Sequence, residues 1–118
     1  MIKLKEGVKI LISTEPVDAR KSIDSLSCLI PDRFCDNPQS GNLFLFFNKA
    51  RDKVKILYWD HLGFVLYYKR LEKHRFVMPK LTELSHLEIT EMQLYGLLAG
   101  LDFMLMRQFT ELTYSKYL

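Results

Sequence analysis

Three short β-forming runs crowded into residues 43–80 constrain this chain more than any other feature. Leu43 to Phe47, Val54 to Trp59 and Phe64 to Tyr68 are built almost entirely from aromatic, aliphatic and β-branched residues. The two connections, Asn48-Lys49-Ala50-Arg51-Asp52 and Asp60-His61-Leu62-Gly63, are of hairpin length, so the block predicts an antiparallel meander. Phe76-Val77-Met78, ended by Pro79, extends it as a fourth strand. In the second run Val54, Ile56 and Tyr58 share one face, and Lys53, Lys55, Leu57 and Trp59 share the other. In the third, Phe64, Leu66 and Tyr68 oppose Val65, Tyr67 and Lys69. Neither alternation is cleanly half-polar, which implies a sheet covered in part on both faces.

The flanking sequence supplies the covers. Val8 to Ile12 reads as a strand, interrupted at Pro16 because proline cannot donate to a ladder. Asp18 is placed to cap a helix whose apolar face is Ala19, Ile23, Leu26 and Ile30, with Pro31 closing it. On such a helix Arg20 and Asp24, four apart, pair on the exposed side, and Asp18, Arg20 and Asp24 form a structural network. Further on, Thr90 and Gln93 have capping-box spacing, Met92, Tyr95, Leu98 and Ala99 suggest the buried stripe, and Gly100 suits a helix stop. The expected architecture is one α+β domain over residues 1–102. Its antiparallel sheet has four to five strands and is packed by helices near 19–30 and 91–99. Phe103, Met104, Met106, Phe109 and Leu112 predict a C-terminal helical extension over 103–118, apolar enough to dock on the domain or on a second copy in a homodimer.

At 118 residues the chain has the length of one domain with a real core. No apolar run reaches the roughly 18–20 residues that span a bilayer, and the first residues lack an apolar signal region, so a cytoplasmic protein without membrane contact is expected. Cys28 and Cys35 then read as reduced thiols. The net charge of +3 is unevenly spread. Residues 1–48 carry six basic and six acidic side chains, residues 49–80 nine and three, and residues 81–118 two and five. One sign of charge thus gathers in the meander, as an anion-binding surface requires, and as a lysine-rich face that protects strand edges would also show.

The anion-binding reading uses Arg51, Lys53, Lys55, Lys69, Arg70, Lys73, Arg75 and Lys80 as phosphate contacts, with Trp59 as a stacking surface for an unpaired base. Catalysis has a weaker basis. Asp18, Asp24, Asp60 and Asp102 suggest a metal-dependent nuclease, but they read equally as cap, helix, turn and helix-terminal residues. His61, His74 and His86 have no metal-ligand spacing, and the cysteines form no C-x-x-C pair. A ribonuclease built on His74 with Arg75 rests on adjacency alone. No catalytic residue, metal ligand or cofactor is therefore assigned.

Several ordered stretches together resemble a known family. Thr14 to Leu26 contains Asp18, Arg20, Lys21, Ser22, Asp24 and Leu26 at the family's spacing. Ser40, Gly41, Leu43, Phe44 and Phe46 follow. Next come Arg51 to Asp60 with Gly63 and Phe64, then Lys69 to Glu72 with Arg75, Phe76 and Pro79, and finally Leu98 to Asp102. From about Val8 to Asp102 the chain resembles the second-open-reading-frame accessory proteins of the insertion sequence 66 transposon family. It departs from them at Ala19, where Met is usual, at Ser25 and His74, where Gly is frequent, and at Met78, where Trp is frequent. The resemblance implies a non-catalytic accessory protein of transposition. Its implied partners are a separately encoded transposase and another small accessory protein of the element; the basic meander, read from its own residues, adds transposon-end DNA as an expected ligand. Two alternatives stand beside it: an adaptor that meets an acidic surface of the transposase without touching DNA, and the small nuclease.

Overall fold

The computed structural model of the protein describes residues 4–78 and 84–101. Seven elements follow in order: β1 (Ile10–Ser13), α1 (Ile23–Phe34), β2 (Leu43–Phe47), β3 (Lys53–Asp60), β4 (Gly63–Arg70), β5 (His86–Ile89) and α2 (Glu91–Leu98). The strands form one open sheet in the order β4-β3-β2-β1-β5. The meander of β2, β3 and β4 is antiparallel throughout, with Leu45 opposite Ile56 and Ile56 opposite Tyr67. β1 instead lies parallel to β2, with Ile10 opposite Leu43, and β5 closes the other edge antiparallel to β1. The parallel pair follows from the chain between its members, because α1 intervenes and a helical crossover returns the second strand in the same direction.

β2 is the centre of the molecule, and all five of its side chains are buried. Leu43, Leu45 and Phe47 join Ile10, Ile12, Val54 and Ile56 beneath α2, which contributes Leu94, Leu97 and Leu98. Phe44 and Phe46 face the opposite way, with Leu11 and Leu57, toward Leu26, Ile30 and Phe34 of α1. Phe34 sits 4.9 Å from the Phe44 ring centroid and 5.5 Å from that of Phe46. A fully apolar strand between two amphipathic helices explains why the meander lacks a polar face.

Several local expectations are corrected. α1 starts at Ile23, with Ser22 as N-cap, so Asp18 lies in the preceding loop and caps no helix. The Ser22 amide donates to Ser25 Oγ at 3.0 Å. Pro31 lies inside the helix rather than closing it, and the end falls at Cys35, in the left-handed region at φ 50°. Pro31 is exposed, so water can reach the backbone bond it forgoes, while the extra turn buries Phe34. Residues 76–78 form no strand; Phe76 is instead a buried plug whose ring meets Phe47 at 5.5 Å.

α2 begins with the expected reciprocal cap. Gln93 N donates to Thr90 Oγ1 at 3.1 Å, and Thr90 N donates to Gln93 Oε1 at 2.9 Å. Its buried stripe is Leu94, Leu97 and Leu98, whereas Met92, Tyr95 and Ala99 face outward. Gly100, at φ 83°, supplies the left-handed turn that lets Leu101 N donate to Gly96 O at 2.9 Å. Lys80 and the expected extension over 103–118 lie outside the described residues.

Candidate nucleic-acid interface

Because β1 and β2 run parallel, their C-terminal ends lie side by side, and the chain leaving each emerges at the same end of the sheet. The loop 14–22 after β1 therefore meets the turn 48–52 after β2. Val17 N donates to Phe47 O at 2.9 Å and ties the two together. The segment after β4 arrives at the same place, with Leu71 N donating to Asp52 O and Phe76 N to Arg51 O, each at 2.7 Å. Three loops are thus stitched by backbone bonds into one end of the molecule.

These loops carry most of the local charge. Arg20, Lys21, Lys49, Arg51, Lys73 and Arg75, with Lys53 and Arg70 at the adjoining ends of β3 and β4, gather there against Glu15, Asp18, Asp52 and Glu72. Each acid is engaged by a basic neighbour, Glu15 by Arg33 Nη2 at 3.9 Å. Arg20 Nη2 donates to Asp18 Oδ2 at 2.7 Å, Lys53 Nζ lies 3.4 Å from Asp52 Oδ1, and Arg70 Nη2 lies 2.9 Å from Glu72 Oε1. Hydrogen bonds from Arg20 hold the Asp18 carboxyl well below the usual carboxylate range, and raise the Arg20 guanidinium in turn. The Asn48 amide, which donates to Asp52 Oδ1 at 2.6 Å, and then Lys53 lower the Asp52 carboxyl. The Glu72 carboxylate raises Arg70. Among the described residues, Lys21, Lys49, Arg51, Lys73 and Arg75 enter no ion pair, and all but Lys21 are exposed. Unpaired cations on a rigid rim can each exchange a condensed counterion for contact with a phosphate.

The structure divides the sequence-derived set. Arg51, Lys53, Arg70, Lys73 and Arg75 come together at this end. Lys55 and Lys69 have other occupations. Lys55 projects from β3 toward α1, and its ammonium donates to Ala19 O at 2.7 Å and Lys21 O at 2.6 Å, with the Tyr68 ring centroid 5.3 Å away. Lys69 projects to the other face and donates to Leu98 O at 2.6 Å, where a cation suits the C-terminal pole of α2. Trp59 lies at the far end of β3, edge-on to Phe64 at 5.0 Å, away from the basic loops.

Arg20 and Asp24 do not pair, because α1 begins after Arg20 and the two are not one helical turn apart; Arg20 bonds Asp18 instead. Lys21 and Lys49 stand outside the sequence-derived contacts, and Arg20 is expected there only as a structural residue. The signal that finds them is topological: a β-α-β connection through 10–47 brings loop 14–22 beside turn 48–52.

Asp18 and Asp60 lie at opposite ends of the sheet, and no group of three or more His, Cys, Asp or Glu residues suited to a metal occurs among the described residues. Cys28 and Cys35 are free thiols, both exposed. No helix among the described residues is long and apolar enough to cross a membrane.

Comparison with known proteins supplies the context. The sequence model of a family described as "IS66 Orf2 like protein" matches residues 8–108. "Uncharacterized protein y4jC" of Sinorhizobium fredii (strain NBRC 101917 / NGR234) is 34% identical over 104 residues, covering 87% of this chain and 87% of that protein. "Uncharacterized protein y4hO" of the same organism is 33% identical over 103 residues, covering 87% of this chain and 89% of that protein. No solved structure matches the chain.

Proposed function

The chain belongs to the IS66 Orf2-like protein family, and on that premise we propose that it binds duplex DNA through its cationic end while assisting a separate transposase, without catalysis of its own. Membership associates it with an insertion-sequence transposition system in an accessory role. One observation carries the finer reading: Lys21, Lys49, Arg51, Lys73 and Arg75, unpaired among the described residues, come from three separate loops that backbone hydrogen bonds hold together. A solvated face that only protected strand edges would need its lysines along β4 and β5. Here the strand lysines Lys55 and Lys69 turn inward to backbone carbonyls. The non-catalytic part of the proposal is supported by the placement of the carboxylates, with Asp18 committed to Arg20 and Asp60 at the other end of the sheet.

Electrophoretic mobility shift of the purified chain on an element-end duplex, beside a scrambled duplex of equal length, tests the reading. Retardation of both probes, with tighter retention of the element end, is the expected result. No shift at low salt, together with capture by purified transposase, would replace it with a protein adaptor whose cationic end meets an acidic surface. Cleavage of either probe would overturn the non-catalytic part.

A further inference from the structure

We propose that Arg20 reads a guanine edge in the major groove of bound DNA, braced for that contact by Asp18 and Lys55, while neighbouring cations hold phosphates. The inference rests on the DNA-binding reading above and assigns a division of labour within that surface.

An exposed arginine ordinarily samples many rotamers, yet here the side chain and the backbone that carries it are both fixed. A single carboxylate organises the side chain: Asp18 Oδ1 accepts from the Arg20 amide at 2.9 Å and from Nε at 3.1 Å, and Oδ2 accepts from Nη2 at 2.7 Å. The backbone is held from below. Val17 N is bound to Phe47 O, Lys21 N donates to Asp18 O at 3.0 Å, and Lys55 Nζ clamps the carbonyls of Ala19 and Lys21, one on each side of Arg20. The pedestal therefore begins in the sheet and ends at a guanidinium. That side chain is 91% exposed. An exposed ion pair adds little to stability, so stability does not account for the three bonds by which Asp18 holds Arg20.

The donor count shows what remains available. Of the five guanidinium N–H groups, Asp18 engages the Nε hydrogen and one on Nη2. The outer edge, made of one Nη1 hydrogen and the second Nη2 hydrogen, offers two parallel donors directed away from the carboxylate. Guanine O6 and N7 in the major groove present two matching acceptors in one plane, and so do two phosphate oxygens. Charge separates these candidates. Asp18 neutralises Arg20, and a phosphate approaching that edge also meets the carboxylate, whereas a base edge carries no net charge and loses little by its presence. Lys21, Arg51, Lys73 and Arg75 have no such acidic partner among the described residues and are the better phosphate contacts.

The test is selection of duplexes from a randomised pool by the full chain, the Arg20→Lys variant and the Asp18→Ala variant. Wild type should enrich a motif containing a required guanine. Lysine keeps the charge but cannot form the two-donor edge, so R20K should lose that preference by about tenfold or more, while its affinity for the unselected pool falls less than about threefold. D18A removes a negative charge and the brace together; it should bind the unselected pool more tightly and discriminate less. Both positions are exposed, and thermal melting close to wild type confirms that the variants fold. Retention of the same guanine preference by R20K, or enrichment of no motif by a wild type that binds the pool with normal salt dependence, overturns the Arg20 assignment alone. Failure of wild type to bind the pool at low salt overturns the assignment and the DNA-binding reading together.

Discussion

The two ends of the sheet are made by the same strands, yet they differ in what their loops hold. At one end loops 14–22, 48–52 and 71–76 are held together by backbone bonds and expose a rim of cations with no ion-pair partner among the described residues. At the other, the β3–β4 turn with His61 and Leu62 faces residues 4–8 and the loop before β2 across an open cleft of about 660 Å³, lined by Val8, Asn42, Tyr58 and Trp59. Charges there are mixed: Lys5 and Lys9 stand with Glu6, Asp36 and Asp60. Asn42 accepts from Lys9 N at 3.0 Å and donates to Asp36 at 2.8 Å, closing that end with neutral and acidic groups. The contrast shows that the cationic surface belongs to the loops and to the topology that gathers them. Of the strand lysines, Lys53 pairs with Asp52 at the start of β3, and the ammonium groups of Lys55 and Lys69 serve the protein's own carbonyls.

The comparison breaks most severely if the stitching is removed. Phe76 is 1% exposed and holds loop 71–76 on the turn after β2, so Phe76→Ala should cost about 3–5 kcal/mol of unfolding free energy in urea titration. The next effect in size sharpens the comparison directly. Arg51→Glu, Lys73→Glu and Arg75→Glu combined should weaken duplex binding by at least about 100-fold near 0.1 M salt, as read by fluorescence anisotropy. Lys5→Glu with Lys9→Glu at the opposite end should change it by less than about fivefold.

Lys55 tests whether a strand lysine is structural. Lys55→Met keeps the stem and removes the ammonium from Ala19 O and Lys21 O, which should cost about 1–3 kcal/mol by the same urea titration. The smallest effect is a titration. The folded-state pKa of Asp18 is depressed, so the order it supplies is complete above the ordinary carboxylate range and is lost only as pH falls below it. Carboxyl-detected NMR should find Asp18 titrating below the ordinary carboxylate range, and Arg20→Ala should return it toward that range.

Much of this was legible in sequence where a local rule operated without competition. The alternation from Leu43 to Tyr68 gave the meander, and Thr90 with Gln93 gave the cap of α2, because hairpin spacing and capping are decided within a few residues. Prediction failed where long-range packing outweighed a local rule. Pro31 reads as a helix stop, but the burial of Phe34 against Phe44 and Phe46 carries the helix one turn past it. Asp18 reads as an N-cap, yet it bonds the amide and side chain of Arg20, and Ser22 takes the cap position. The basic residues could be counted from sequence, but their directions could not: Lys55 and Lys69 alternate with apolar neighbours as solvent-facing lysines would. The place of Arg20, Lys21 and Lys49 depended on β1 lying parallel to β2, which no local pattern states.

The most direct test of the central claim is the salt dependence of duplex binding, measured for wild type and for the Arg51→Glu, Lys73→Glu, Arg75→Glu variant over the same salt range. With about four to five phosphates neutralised, the wild-type affinity should fall about 150- to 500-fold between 50 and 200 mM salt, and the variant should show a clearly shallower slope. Equal slopes for the two proteins, or no binding by wild type at the lowest salt, would contradict the assignment of DNA contact to the cationic end.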